Sequence, residues 1–238
     1  MIELQNVSKL YRGGVHALKN ISLKIEDGEF VYLTGMSGSG KSTLMKLLYR
    51  EEKATRGHIR VGNRVITKLK NRDIHELRRE VGVVFQDFQL LPTRTVFENV
   101  AYALEVIETE PAEIRTRVME ALRVVGLEEK AEAFPSECSG GEQQRVAIAR
   151  AIVNAPKVLL ADEPTGNLDP AAAMEIMRLF YRINQRGTTV VMATHNQKII
   201  RQIPFRVIEL VNGELKRDRT QNHISLLYSA KMGEYFVV

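Results

Sequence analysis

One cysteine in 238 residues leaves nothing for an internal disulfide to pair with, and it fits a reducing compartment. A single thiol also cannot build a Cys-rich metal site. No apolar stretch approaches the ~20 residues that a helix needs to cross a bilayer, so any membrane attachment is expected to come through a partner. The opening Met1-Ile2-Glu3-Leu4 lacks a basic segment followed by an apolar one, and no secretory leader is expected. There is no internal repeat, no low-complexity tract and no basic stripe interleaved with aromatics of the kind that tracks a nucleic acid. The remainder is ordinary for one compact unit with a full core: 44% hydrophobic and 26% charged residues. The net charge of +5 would favour an anionic membrane face or a nucleic acid but specifies neither.

The hydrophobic pattern divides the chain. Residues 2–34 and 58–66 alternate apolar and polar side chains, with turn signals at Asp27-Gly28 and Gly62-Asn63; the second reads as a hairpin. Five apolar runs, at 30–34, 81–85, 157–161, 189–193 and 206–210, are separated by helical stretches and predict a parallel α/β core. Residues 95–150 break this rhythm. Ile114, Val118, Leu122 and Val125 recur at helical spacing and stop at Gly126, a C′ residue. The expected plan is therefore a core of residues 1–94 and 151–215 with an inserted helical subdomain at 95–150. Asp169 and Pro170 suit the N-cap and first position of a helix whose apolar stripe is Ile176, Phe180 and Ile183. Residues 216–238 form a tail of unassigned role, with a packed terminal helix as its plainest reading.

Two stretches carry the chemistry. Behind the strand at Phe30, Val31, Tyr32 and Leu33 comes Gly35-Met36-Ser37-Gly38-Ser39-Gly40-Lys41-Ser42-Thr43. This is a phosphate-binding loop: its glycines permit close backbone approach, Lys41 reaches the β- and γ-phosphates, and the Ser42 hydroxyl is placed to ligate Mg²⁺. A helix beginning near Lys41 adds its positive dipole end. The second stretch is the strand Val158, Leu159, Leu160, Ala161, which delivers Asp162 and Glu163. Asp162 is expected in the magnesium shell, and Glu163 to orient or deprotonate the attacking water.

With these in place, the chain resembles the ATP-binding-cassette (ABC) ATPases, motif by motif and in order. Ser139-Gly140-Gly141-Glu142-Gln143-Gln144-Arg145 matches the family signature, with Cys138 where leucine is usual; Cys138 reads as a small hydrophobe filling the same wall. The resemblance implies further roles. Gln86 matches the loop glutamine that touches magnesium and water, and Tyr11 the aromatic on which adenine stacks. His195 matches the switch histidine at the γ-phosphate, and Asp169 ends the D-loop that crosses a dimer interface. Ser139 and the N–H groups of Gly140 and Gly141 precede a helical run expected at 143–153, making a second anion site at a helix N-terminus. In the family that site closes on the γ-phosphate held by a second subunit. The resemblance thus implies the P-loop NTPase fold of an ABC ATPase, ATP and Mg²⁺ as cofactors, and a head-to-tail homodimer in the ATP-bound state.

The branch is narrowed by what is missing and by three local segments. There is no coiled coil between loop and signature, no second cassette and no fused membrane domain. Residues 48–52 (Leu-Tyr-Arg-Glu-Glu), 83–92 around Gln86, and 192–196 around His195 resemble the bacterial cell-division FtsE family, over residues 1 to about 218. That resemblance implies a peripheral ATPase on the cytoplasmic face of the cell membrane. It would be attached through an integral membrane partner like FtsX and would act indirectly on peptidoglycan hydrolases, with no direct contact to nucleic acid. The ATPase of a lipoprotein-releasing or macrolide-efflux system shares the 162–170 segment, and a soluble nucleic-acid ATPase is the reading from another class. Phe88, Leu90 and Leu91, beside Gln86, are expected to receive a short helix of the membrane partner; the alternative is that Leu90 and Leu91 only pack the subdomain.

Overall fold

The computed structural model describes residues 1–219. Strands β1 (Ile2–Leu10) and β2 (His16–Ile25) pair antiparallel, and β1 pairs on its other edge with β4 (Arg56–Val61), which turns back into the short β5 (Arg64–Val65). Between them run β3 (Phe30–Thr34) and helix α1 (Lys41–Leu48). Helix α2 (Ile74–Glu80) leads directly into β6 (Val81–Val84). Three helices follow without a strand: α3 (Val96–Glu105), α4 (Pro111–Val125) and α5 (Gly140–Ile152). The chain then alternates through β7 (Val158–Asp162), α6 (Pro170–Gln185), β8 (Thr189–Ala193), α7 (Gln197–Gln202), β9 (Arg206–Val211) and β10 (Glu214–Arg219).

The second sheet has the order β10-β9-β3-β8-β7-β6. All its neighbours are parallel except β10, which folds back antiparallel on β9. Its central strands are continuous apolar runs because both faces are covered. Phe30, Tyr32, Leu159, Ala161, Val190 and Met192 face a core shared with α3 to α7. Their alternates Val31, Leu33, Val158, Leu160 and Val191 face a second core with α1 and the four-stranded sheet.

Local signals set the helix ends. Thr95 caps α3 through a capping box with Glu98, and Asp169 caps α6 ahead of Pro170, its carboxylate accepting from Ala171 and Ala172. Gly126 ends α4 at φ 68°. Two boundaries differ from the sequence reading. Helix α5 starts at Gly140, so both signature glycines lie inside its first turn. Residues 216–219 belong to β10, where Arg206 pairs with both Asp218 and Glu29. That strand is charged and mostly exposed, as suits a sheet edge, which is why hydrophobicity did not reveal it. The stretches 226–228 and 235–238, with the expectation of a packed terminal helix, lie outside the described residues.

A candidate nucleotide site at the strand ends

Strand order brings the chemistry together. Leu33 sits beside Ala193, Ala193 beside Asp162, and Ala161 beside Val84, so the loops after β3, β8, β7 and β6 leave the sheet side by side. Open parallel sheets place ligands at this end. The loops surround a cavity of about 780 Å³. Its walls include the phosphate loop, Tyr11, Gln86, Asp162, Glu163 and His195. Of the loop residues 35–43 only Ser39 is not part of the wall; it is 4% exposed and packs beneath the loop.

The loop is shaped by its glycines. At Gly35 (φ 146°) a Cβ would lie 2.3 Å from the Leu210 carbonyl oxygen and 2.4 Å from Ser39 Oγ. At Gly40 (φ 105°) it would lie 2.5 Å from the Ala17 carbonyl oxygen. Gly40 caps α1 with no side-chain hydrogen bond, and no acid occupies the first turn. The leading N–H groups and the positive end of the helix are thus left for an anion. The Lys41 ammonium donates to the carbonyls of Gly35 (2.8 Å) and Met36 (3.1 Å), which holds it across its own loop.

Burial raises the Asp162 carboxyl above the ordinary carboxylate range, and a hydrogen bond from Ser42 opposes the rise. Glu163 adopts a left-handed backbone (φ 47°), rare outside glycine. Its N–H donates to the Ala193 carbonyl, and its own carbonyl accepts from Gly166, both at 3.0 Å. Its carboxylate lies 2.9 Å from His195 Nδ1. Gln86 Nε2 donates to Asn167 Oδ1 at 3.5 Å, and Asn167 Nδ2 to the Gln86 carbonyl at 3.3 Å. The adjoining Ser42 hydroxyl and Asp162 carboxylate are hard oxygen donors. Among the described residues no group of three or more His, Cys, Asp or Glu could hold a metal alone. Such a sparse oxygen set fits Mg²⁺, which takes few protein ligands and shares its shell with phosphates.

The signature residues are elsewhere. None of Ser139, Gly140, Gly141 and Glu142, nor Asp169, lines this cavity. Ser139 Oγ accepts the Glu142 N–H at 3.3 Å, and Glu142 accepts the Ser139 N–H at 2.8 Å. Because the Ser139 oxygen is the acceptor here, its hydroxyl proton remains available to an anion. The Lys130 ammonium at 2.7 Å and the Ser139 bond hold the Glu142 carboxyl down at about 2. Cys138 is buried in the helical core, and its burial raises the thiol above its ordinary value.

Phe88 and Gln89 both have left-handed backbones, at φ 56° and 50°. Arg150 of α5 donates to their carbonyls at 2.8 and 2.7 Å. A groove of about 1000 Å³ runs between α2, β6 and the end of α3. Leu91 lines it, along with the exposed Tyr102 and Val106, but Phe88 and Leu90 do not; Leu90 packs against the helical core. The sequence reading picked out neither Asn167 as a partner of Gln86 nor Arg150. Asn167 carried a signal, since it lies within Gly166-Asn167-Leu168-Asp169, the stretch that resembles the D-loop. Arg150 carried only its place as a charge among the apolar residues of α5.

Residues 18–166 match the family model described as ABC transporter. The chain is 54% identical over 221 residues to the cell division ATP-binding protein FtsE of Bacillus subtilis, covering 93% of this chain and 97% of that one. It is 50% identical over 215 residues to the protein of the same name from Escherichia coli, covering 90% and 97%. Among solved structures it is similar to the dimeric ATP-binding cassette MJ0796 in a post-hydrolysis state bound to ADP and Pi. There the TM-score is 0.82 at 40% identity, covering 92% of this chain and 98% of that one.

Proposed function

The chain belongs to the ABC transporter family of ATPases, and from that premise we propose that it is the ATP-hydrolysing subunit of a bacterial membrane complex of the FtsE–FtsX kind. One observation carries the reading: the phosphate loop, the Ser42–Asp162 pair, Glu163, His195 and Gln86 wall a single cavity, while the signature residues lie outside it. The cavity supplies what ATP hydrolysis needs from one subunit, and the signature is left to complete the site of another.

Tyr11 stacks the adenine. Lys41 leaves the Gly35 and Met36 carbonyls for the β- and γ-phosphates, joined by the open N-terminus of α1. Ser42, Asp162 and Gln86 hold Mg²⁺, which when bound neutralises phosphate charge. Glu163 holds and deprotonates water, and His195 keeps that carboxylate aimed. In the ATP-bound homodimer, Ser139, Gly140 and Gly141 of one copy donate to the γ-phosphate bound by the other, and Asp169 stands at the crossing. The cassette sits on the cytoplasmic face of the membrane through an FtsX-like partner, whose short helix enters the groove at Leu91, Tyr102 and Val106. ATP-driven closing then passes through that partner to peptidoglycan hydrolases.

The test is affinity purification of the Glu163→Gln variant from membranes with ATP and Mg²⁺. Recovery of a polytopic membrane protein with the trapped dimer is the expected result. Recovery of nucleic acid, or of no membrane protein at all, overturns the assignment.

A further inference from the structure

The segment Tyr49-Arg50-Glu51-Glu52 follows α1, and the site described so far makes no use of it. It is nonetheless a built element. Arg50 takes a left-handed backbone (φ 61°), is 7% exposed, and donates to the carbonyls of Ile66 (3.0 Å) and Leu69 (3.2 Å). The N–H groups of Glu51 and Glu52 both close the end of α1 by donating to the Lys46 carbonyl. Tyr49 donates its hydroxyl to Glu51, which also pairs with Lys46 at 3.0 Å. Glu52 is thereby held in place, and its carboxylate meets the ammonium of Lys9 at 2.6 Å.

Lys9 is the consequential partner. It projects from β1, its side chain is 10% exposed, and it donates a second hydrogen bond to the Lys53 carbonyl at 3.0 Å. Its ammonium stands 4.6 Å from the centroid of the Tyr11 ring. Tyr11 is part of the wall of the nucleotide cavity, whereas Lys9 meets the same ring without being part of that wall. A cation fixed on one face of an aromatic ring holds that ring in place and draws its π density away from the open face. Both effects strengthen stacking of an electron-rich purine on the open side.

We propose that Lys9 and Glu52 are positioning residues for the base. Glu52 clamps Lys9, Lys9 backs Tyr11, and the pair sets how much of the nucleotide's affinity comes from its purine rather than its triphosphate. This rests on the reading of Tyr11 as the adenine platform, and the test separates the two. Binding of ATP and of inorganic tripolyphosphate is measured by competition against a fluorescent ATP analogue, for wild type, Lys9→Met, Glu52→Gln, the double variant, Lys9→Arg and Tyr11→Ala. Glu52 is one-third exposed, so water solvates it when Lys9 is neutralised. Lys9→Met and Glu52→Gln are each expected to weaken ATP about 3- to 20-fold, the range of a partly desolvated cation–π contact. The double variant is expected to lose no more than the worse single, tripolyphosphate to bind all of them alike, and Lys9→Arg to recover most of the loss. If Tyr11→Ala weakens ATP while Lys9→Met and Glu52→Gln do not, the inference fails and the platform stands. If Tyr11→Ala binds ATP normally, the platform itself is wrong and the inference falls with it. Equal loss of tripolyphosphate and ATP, at unchanged melting temperature, also overturns the proposal, because the pair then serves the phosphates.

Discussion

His195 holds Glu163 at two points: ring Nδ1 lies 2.9 Å from one carboxylate oxygen, and the His195 N–H donates to the other at 3.3 Å. In a neutral imidazole the Nδ1 proton makes that contact, leaving the Nε2 lone pair outward. The two side chains differ in exposure, 15% for Glu163 and 74% for His195, so the carboxylate is the buried, held member. Its strained backbone and double anchor leave it little freedom, which suits a group that must meet one water in one place.

Glu163→Gln keeps that shape, since an amide oxygen still accepts from His195, but it removes the carboxylate proposed as the base. ATP affinity is expected to stay near wild type while turnover falls about 10²–10⁴-fold, the usual contribution of general-base catalysis. Single-turnover hydrolysis and equilibrium binding, measured on the same preparation, check this. Hydrolysis within threefold of wild type would remove Glu163 from the catalytic role.

Lys41→Ala acts on binding instead. Without nucleotide the ammonium satisfies the Gly35 and Met36 carbonyls, so the variant loses two hydrogen bonds within the loop as well as the cation for the triphosphate. Charge-assisted bonds of this sort contribute about 1.5–3 kcal/mol, which predicts ATP binding weaker by roughly 10- to 150-fold. Isothermal titration with a folded variant decides it, and near-normal affinity contradicts the assigned role.

Arg150 ties the loop after Gln86 to the helix that carries the signature. Removing its guanidinium strands the carbonyls of Phe88 and Gln89, each already in an uncommon backbone conformation. Arg150→Ala is expected to lose about 1.5–3 kcal/mol in urea unfolding and to weaken recovery of the proposed membrane partner, because the loop borders the groove. Arg150→Lys restores the charge but not the planar fork, so it recovers only part of either effect. Full recovery of the partner by Arg150→Ala would separate this clasp from docking.

Much of this was legible beforehand, and what was not has physical causes. The central strands announced themselves because burial on both faces demands unbroken apolar runs, as in Phe30 to Thr34. The start of α5 was missed although its signal was present: Ser139 followed three residues later by Glu142 is a capping box, but the two intervening glycines argue against a helix. The pairs Lys9 with Glu52 and Arg150 with Phe88 span 43 and 62 residues, and only the folded topology creates them. Phe88, Leu90 and Leu91 read as one patch in the sequence, but of these three only Leu91 lines the groove, with the backbone left-handed at 88 and 89 between Gln86 and Leu90.

Glu142 gives the capping box a pH dependence. Its carboxyl is lowered from 4.5 to about 2 by Lys130 and by the N–H of Ser139, so the folded state favours the charged form. The unfolded chain takes up its proton first as the pH drops. The stabilisation is therefore complete above about 4.5 and drains away as pH falls towards about 2. Wild type is expected to melt higher than Glu142→Gln at pH 7, with the gap closing between pH 4.5 and the acid limit. A gap that is constant across that range would show that the carboxylate's charge is not what stabilises the helix start.

The last prediction concerns the separation of the two anion sites. One chain carries a phosphate loop and a signature, but only the loop lines the cavity, so each composite site is expected to need two copies. Cys138 is a poor reporter of their meeting, because at 6% exposure it is already shielded. Complementation is a better one. Lys41→Ala breaks the loop side, and Ser139→Arg fills the signature side with bulk; each homodimer then has two broken sites. A mixed dimer has one site broken twice and one intact. With random pairing of equal amounts, half the dimers are mixed and each has one working site, so about a quarter of wild-type activity should return. Activity that never rises above the sum of the parent variants would mean that loop and signature act within one chain, and the two-copy site would have to be abandoned.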